Sequence, residues 1–493
     1  MSLINIIGSG ISGLSAACYS AKEGHKVRVF EKNATIGGRA RIFSEQGFLF
    51  DMGPSWYWMP EVFERFFNDF GKTTSDYYQL NKLDPGFRIF FEGKEYVDIS
   101  GNINEIHALF ESIEPGSSLQ LKKYLTDAKN KYTHGMLDIA SKPSLSWLEF
   151  ADLKLLRNAV GLNMFQSMRK HVASYFKDKR LQAIMEFPVL FLGAMPDNIP
   201  ALYSLMNYAA LEQGTWYPMG GMYKIIEAMH QLALSLGVEF YTGAAVEKIE
   251  VHNKIATGIK TKEGSYTQDA LIATGDYHHI EQDLLEENHR NYNENYWAKK
   301  TLAPSCLIFY VGVNKKIPGL LHHNLFFDED MNKHSEEIYQ NPVWPTHPLF
   351  YVCCPSKTDI GVAPAGSENL FILMPVAVAL EATQQLYTYY FDMMLKRIEG
   401  RCNINLQDAI VYKKTYSVNN FTEDYNAYKG NAYGLANTLN QTAILKPSIK
   451  NKKIKNMFYA GQLTVPGPGV PPCIISGQIT ANQVIKTLKT YKA

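Results

Sequence analysis

What most limits this chain is the pattern in its first 31 residues. A short apolar run, Leu3 to Ile7, gives way at once to Gly8-Ser9-Gly10-Ile11-Ser12-Gly13. The small-residue stretch "LSAACYSAKEG" and a second apolar run, "KVRVF", then lead to Glu31. The two runs read as strands and the stretch between them as a helix, giving a β-α-β unit. Each glycine has its own reason to be there. Gly8 allows a tight turn out of the strand, Gly10 lets the backbone approach a pyrophosphate, and Gly13 lets the helix lie close against the sheet. The helix N-terminus adds a positive field for the phosphates. Glu31, 23 residues after Gly8 at the end of the second strand, is placed to accept from adenosine ribose hydroxyls and would repel a 2′-phosphate. The pattern therefore points to a dinucleotide and disfavours NADP.

A second glycine cluster bears on which dinucleotide. The stretch "IGGRARIFSEQGFLFDMGPSW" supplies Gly37, Gly38 and Gly53 for further close backbone approaches, with a cation, Arg39, for phosphate or flavin oxygens. A long cofactor running across the domain toward a reactive ring needs such contacts, so FAD fits better than NAD.

At 493 residues and 46% hydrophobic, the chain has material for two or more cores. Its 49 basic and 48 acidic residues leave a formal charge of +1, which gives no overall attraction to nucleic acid. Cys18, Cys306, Cys353, Cys354, Cys402 and Cys473 show no C-x-x-C spacing. They read as free thiols in a reducing compartment, with no metal site expected. The first strand starts too early to leave room for a secretory signal, so a cytoplasmic location is expected. The longest apolar run, "LFILMPVAVAL", is broken by Pro375 and falls short of a membrane span.

The expected architecture is α/β: a discontinuous Rossmann-like FAD-binding domain (1–90, 210–300 and 450–493) and a second, α+β substrate domain (91–209 and 301–449). The second domain carries a helical, membrane-associating region. "GFLFDMG" reads as a strand, "PEVFERFFNDFG" as an amphipathic helix, and "FRIFFEGKEYVDI" as a hairpin turning at Glu92 and Gly93. Helical periodicity dominates from Asn104 to Leu236, except in "FPVLFLGAMPDNIPAL", where three prolines preclude one continuous helix and the stretch reads as a lid or cavity wall. Short segments from "VEFYTG" to "DALIATG" read as a small β-meander, Met457 to Ala460 as a strand, and the segment from Pro472 onward as the last helix.

The sequence resembles the bacterial-type phytoene desaturases and related carotenoid oxidoreductases, including 1-hydroxycarotenoid 3,4-desaturases, of the flavin-dependent amine-oxidase-like superfamily. The resemblance rests on the fingerprint with Glu31, "GGRA", "FDMGPS", "FPVLFLGAMP", "GTWYPMGGMYKIIEAM", "ATGDYHH" and "FYAGQLTVPGPGVPPCIISG", and so covers nearly the whole chain. It implies that Gly8, Ser9, Gly10, Ser12 and Gly13 hold the pyrophosphate, and Glu31 and Lys32 the adenosine ribose. By the same resemblance Arg39, with Gly37, Gly38, Gly53 and Pro54 around it, reaches phosphate or ribityl oxygens, and Val246 meets adenine through its backbone. Gly461 and Gln462 return to the pyrophosphate, and Gly469, Val470 and Pro471 lie under the isoalloxazine. The plainer readings are that Val246 is meander core and that Pro468, Pro471 and Pro472 only start a helix. One departure is the stretch Gly461-Gln462-Leu463-Thr464-Val465, where most members have Gly-Ala or Gly-Thr and then a Thr-His pair.

The resemblance implies a desaturase that takes a hydride and a proton from neighbouring carbons beside a polyene and passes electrons to an acceptor such as oxygen or a quinone. Alternatives are a flavin-dependent carotene cis-trans isomerase and a non-catalytic membrane-associated carotenoid carrier. The catalytic proton acceptor has one candidate, Glu186 in "AIMEFPVLF", for which the plain alternative is a structural acid. The adjacent pairs His278-His279 and His322-His323 are wrongly spaced for two ligands on one helix face, read as loop residues, and receive no role. A carotenoid is too apolar to travel through water, so delivery from a lipid membrane surface is expected, with Arg169, Lys170, Lys177, Lys179 and Arg180 near headgroups or, alternatively, forming only a solvated basic face.

Overall fold

The computed structural model describes residues 1–135, 140–146, 149, 166–190 and 192–492. Leu3–Ile7 is the central strand of a five-stranded parallel sheet ordered Met457–Tyr459, Ala270–Ala273, Leu3–Ile7, Lys26–Glu31, Glu239–Thr242. Lys26–Glu31 and Glu239–Thr242 lie on one side of it, and the two strands latest in the chain, Ala270–Ala273 and Met457–Tyr459, lie on the other. The carboxyl end of Leu3–Ile7 is thus the point where a doubly wound sheet opens a crevice, and Gly8 sits there.

The helix Ile11–Lys22 leaves that crevice with every residue from Ser12 to Ser20 buried. Its small residues permit backbone-to-backbone packing on two sides. A Cβ built on Gly13 would lie 2.1 Å from the Gly8 carbonyl oxygen, and one built on Gly477 of the last helix, Val470–Lys492, would lie 2.4 Å from the Ser12 carbonyl oxygen. Ser15 Oγ donates to the Ile474 carbonyl at 2.7 Å across the same seam. The last helix starts at Val470 rather than at the expected Pro472. Prolines are accepted in a first helical turn, where the missing N–H would have had no partner.

A seven-stranded sheet forms the other half: Ile410–Tyr416, Ser305–Val313, Glu368–Val376, Phe350–Cys353, His323–Phe326, Phe87–Phe90, Tyr96–Ile99. It is antiparallel except where His323–Phe326 meets Phe87–Phe90. That pairing corrects one expectation, since Phe87–Phe90 falls within the 1–90 segment assigned to the nucleotide side yet is a strand of this second sheet. All nine residues of Ser305–Val313 are buried. Leu307, Phe309 and Val311 pack with Phe391 and Met394 of the helix Gln384–Cys402, while Ile308 and Tyr310 face the opposite core with Phe50 and Leu325. A strand covered on both faces reads as an unbroken apolar run, as "CLIFYVGV" does.

The expected meander is split. Lys248–His252, Ile255–Lys260 and Ser265–Thr267 form it, whereas the flanking Glu239–Thr242 and Ala270–Ala273 enter the parallel sheet. The helix Lys179–Leu190 contains Pro188, so the first of the three prolines is accommodated two residues before the helix ends. The segment 150–165, including Leu162 to Phe165 of the aromatic-rich stretch, lies outside the described residues.

The helix seam gives a test. Glycine to alanine within a helix normally gains about 1 kcal/mol, but a methyl group 2.4 Å from a carbonyl oxygen forces backbone displacement, which costs about 1–3 kcal/mol. Gly477→Ala is expected to lower stability in urea unfolding. A stabilised variant would show that the two helices are not in backbone contact.

Candidate active site

The glycine turn, the ends of the parallel strands and the start of the last helix enclose a cavity of about 580 Å³. It begins at Gly8, Gly10 and Glu31, passes Arg39 and Gly461, and continues to apolar walls that include Phe187, Leu202 and Phe371.

Each glycine of the fingerprint is explained by what surrounds it. Gly8, at φ +99°, occupies the left-handed region that favours glycine. Gly10 has φ −68° and ψ 176°, a conformation open to any residue, and a Cβ there would find no atom within 4 Å. Its glycine therefore serves the empty space above it rather than the backbone. Gly13 lies off the cavity wall and packs on Gly8. In the second cluster, a Cβ on Gly38 would lie 3.2 Å from Gly10 Cα and one on Gly53 would lie 2.3 Å from the Arg39 carbonyl oxygen, so these glycines bring Arg39 against the first turn. Gly37, at φ +111°, is the left-handed residue that starts this segment. Ser12, Pro54, Val246, Gly461, Gln462, Gly469, Val470 and Pro471 all border the same cavity.

Glu31 is 5% exposed and saturated with donors. Its Oε2 accepts from Ser9 N at 2.9 Å and Ser9 Oγ at 2.7 Å, and its Oε1 accepts from Asn33 N at 2.9 Å and Asn33 Nδ2 at 3.1 Å. A carboxylate offers about four lone-pair sites, so a ribose hydroxyl bound here would have to take the place of one of the two side-chain donors. Ser9 thus acts through Glu31, away from the cavity wall. The Lys32 ammonium is turned to Glu423 O at 2.6 Å and Asn426 Oδ1 at 3.0 Å, on the helix Val418–Tyr425 and the residue after it. Val246 is held in place by its loop, since Ala244 N donates to Glu31 O at 2.8 Å and Gly243 N to Asn33 O at 2.9 Å.

Two buried polar atoms of wall residues, Arg39 Nε and Asn437 Oδ1, and one just behind the wall, Lys446 Nζ, lack a hydrogen-bond partner. A methyl group on Gly467 would lie 3.1 Å from Asn437 Oδ1 and 3.4 Å from Lys446 Nζ, so both flank the loop Pro466–Gly469. Open space over Gly10, an unpaired guanidinium nitrogen at Arg39, and an unpaired donor and acceptor behind the terminal glycine loop are what the phosphates and polar ring edge of FAD would satisfy. Burial lowers the Lys446 amine to about 7, with Lys300 adding to the effect.

Other expectations change. Glu186 is buried with its carboxyl pushed upward, but it lies 3.7 Å from Arg169 Nη2 and is absent from the cavity wall, where its neighbour Phe187 stands instead. His278 and His279 are on the short helix Tyr277–Gln282, capped by Asp276, and His323 is in a strand; only His322 precedes one. Sequence reasoning missed Asn431, whose carbonyl accepts from Arg39 Nη2 at 3.3 Å, together with Asn437 and Lys446, because they reach the site from far along the chain. It also left Asp51 without a role. The buried Asp51 carboxylate accepts from Met222 N at 2.7 Å and Tyr223 N at 3.0 Å, which joins "FDMGPS" to "WYPMGGM" as two halves of one contact.

Two predictions separate space from packing and locate the buried amine. Gly10→Ala is expected to leave apoprotein stability within about 0.5 kcal/mol of wild type while weakening FAD by at least about tenfold, whereas Gly13→Ala is expected to destabilise the fold itself by about 1–3 kcal/mol. Thermal unfolding and flavin titration of both variants distinguish these effects, and unchanged FAD affinity in Gly10→Ala would remove the cofactor from that turn. For Lys446, the folded amine titrates at about 7 against an ordinary 10.5, so between these values the unfolded chain holds a proton that the folded chain has lost, and stability rises with pH. Lys446→Met should therefore raise the apoprotein Tm most at pH 7 and below, with the gain shrinking toward pH 10.5. A gain that is flat with pH would contradict the buried, unpaired amine.

Comparisons agree with this geometry. The model of the family described as flavin containing amine oxidoreductase matches residues 11–485. The chain is 40% identical to a carotenoid 3,4-desaturase of Haloarcula japonica over 98% of both chains. It is 28% identical to a zeta-carotene-forming phytoene desaturase of Myxococcus xanthus over 98% of this chain and 93% of that one. Among solved structures, a putative protoporphyrinogen oxidase from Exiguobacterium aligns with TM-score 0.63 at 13% identity, covering 99% of each chain. A doubly wound sheet opening on a glycine cradle, matched over nearly its whole length by these relatives, places the chain in the flavin-containing amine oxidoreductase family, as an FAD-dependent oxidoreductase.

Proposed function

We propose that the chain is an FAD-dependent carotenoid desaturase that acts on a saturated bond beside a polyene, with 3,4-desaturation favoured over phytoene desaturation. One observation carries the reading: the cavity that begins at the glycine cradle runs without a break into apolar walls formed by residues such as Phe187, Leu205, Met206 and Leu325. A long hydrocarbon fits such a space. The preference for the 3,4 position is supported by the higher identity to the Haloarcula protein, 40% against 28% for the phytoene desaturase.

When bound, FAD supplies the acceptor for a hydride. Holding it is the work of Gly10, Ser12 and Arg39 at the pyrophosphate, Glu31 at the ribose, and Gly461 and Gly469 to Pro471 along the rest. The residues beyond orient the chain and exclude water, so that charge developing beside the polyene is delocalised within the substrate rather than quenched by solvent. A proton leaves the neighbouring carbon, and an acceptor such as oxygen or a quinone takes up the two electrons. The cavity is built on two sheet-bearing regions, a nucleotide side and a substrate side, whose boundary lies ahead of Phe87.

Substrate of this kind reaches the cavity from lipid. Moving a carotenoid through water would cost well over about 10 kcal/mol at about 0.8 kcal/mol per methylene-sized group. No helix among the described residues is long and apolar enough to cross a membrane, so docking is peripheral in this proposal. Of the five cations first considered, Arg169 is paired with Asp197 at 3.0 Å and Arg180 with Asp178 at 2.8 Å and with Glu95, whereas Lys170, Lys177 and Lys179 are exposed. The headgroup-facing charge is assigned to these three lysines.

Mass spectrometry of pigment after incubation in liposomes tests the reaction. Loss of two hydrogens is expected, while unchanged mass with altered double-bond geometry would indicate the isomerase and unchanged pigment the carrier. Neutralising Lys170, Lys177 and Lys179 together is expected to weaken binding to anionic liposomes by about 1 kcal/mol per lysine, and high salt should imitate the substitution. If the triple variant sediments and turns over as wild type does, docking uses another face.

A further inference from the structure

A second, smaller site lies behind the cavity wall. His322, His323 and Cys353 are all buried, and their ligand atoms lie within 4.8 Å of one another. His323 and Cys353 are directly opposed partners in adjacent antiparallel strands, so their side chains share a face. His322, in the bend just before its strand, is free of that alternation and turns its ring to within 4.5 Å of the His323 ring. Adjacent histidines thus converge here because one precedes the strand, a geometry that helical spacing does not anticipate.

What distinguishes this cluster from ordinary core histidines is the state of the ring nitrogens. His322 Nδ1 is bonded to Thr358 Oγ1 at 2.7 Å and His323 Nδ1 to Tyr351 Oη at 2.6 Å. Tyr351 Oη in turn donates to Ser55 Oγ at 3.0 Å, so it accepts from His323 Nδ1–H, and this places the lone pair of the neutral ring on Nε2. Yet Nε2 of His322 and Nε2 of His323 are both buried without a partner. A ring N–H held by an outer hydroxyl, as at His323, with the second ring nitrogen buried and unpaired, is the arrangement that readies an imidazole for a metal. A cavity of about 20 Å³, lined in part by Asp51, Ser55, His322 and Cys353, adjoins the cluster. Asp51 lines the same small cavity, so an ion held there would face a carboxylate as well as the three ligands. Trp56, a wall residue of the large cavity, stacks on His323 with ring centres 4.0 Å apart and closes the site on that side.

We propose that His322, His323 and Cys353 bind one transition-metal ion of the zinc class, as a structural site that fixes the wall carrying Trp56. Two imidazoles and a thiolate suit a borderline-soft ion. Binding requires the thiol to lose its proton and the three ligand atoms to close in to the roughly 3.5 Å spacing of a tetrahedral ion. The inference rests on this cluster alone and stands independently of which carotenoid is used.

The test uses full-length protein from cultures supplemented with Zn²⁺ or with Co²⁺, purified by gel filtration, with metal measured by mass spectrometry. The expected result is about one equivalent per chain, together with a thiolate-to-cobalt charge-transfer band in the difference spectrum between cobalt- and zinc-grown protein. Cys353→Ser and His322→Gln should each reduce metal content at least about tenfold. Wild-type protein holding less than about a tenth of an equivalent, or cobalt protein lacking the thiolate band, would overturn the proposal and leave a bound water as the occupant. Both readouts are made on wild type, so a variant that fails to fold does not obscure the answer.

Discussion

Two contacts between backbone and backbone hold the site's frame: Gly13 on the Gly8 carbonyl, and Gly477 on the Ser12 carbonyl. Neither leaves space for a Cβ, so the first helix is clamped between the sheet and the last helix with main-chain carbonyls as the nearest atoms on both sides. The first contact fixes the turn. The second brings residues 461–473, from the opposite end of the chain, onto the same crevice, where a Cβ on Gly461 would already lie 3.3 Å from Ser12 Oγ. A longer separation would part the two glycine loops and open the cavity between them to solvent.

Charge is arranged around that frame with little to spare. The Glu31 carboxylate is satisfied by Ser9 and Asn33 and so braces the glycine turn to the second strand. Asp51 is fully engaged by the backbone at the start of the helix Tyr223–Ser235, although burial pushes its carboxyl up to about 7. Three buried atoms without a partner, by contrast, lie in or just behind the cavity wall: Arg39 Nε, Asn437 Oδ1 and, behind the loop Pro466–Gly469, Lys446 Nζ. A buried polar atom left unmade costs about 1–3 kcal/mol, and the cost is offset when a polar cofactor supplies the partners.

The legible part of the sequence was local. Gly8, Gly10, Gly13 and Glu31 lie within one β-α-β unit, so strand, turn, helix and acid can be read from one window, and the structure gives each glycine a distinct steric reason. Asn431, Asn437 and Lys446 carry no such signal, because what makes them matter is a fold that returns to the first strand after more than four hundred residues. Spacing rules also misled where they presumed one element type. His278 and His279 read as loop residues but sit behind an Asp276 cap on a helix too short for periodicity to show.

The two sheets explain why apolar and polar walls can meet in one cavity. In the seven-stranded sheet the alternation along Ser305–Val313 sends Leu307, Phe309 and Val311 to the outer helix and Ile308 and Tyr310 inward, so the inner face is already apolar before any substrate arrives. The parallel sheet does the reverse at its carboxyl ends, where strands stop and main-chain amides, glycines and Glu31 are presented. A hydride donor buried in hydrocarbon and a cofactor anchored by phosphates need these opposite surroundings a short distance apart. Alternation in one sheet and strand termination in the other supply them, and Arg39, on the short helical turn Gly38–Ala40, with Trp56 and Gly461 from loops, all stand on the wall of the same cavity.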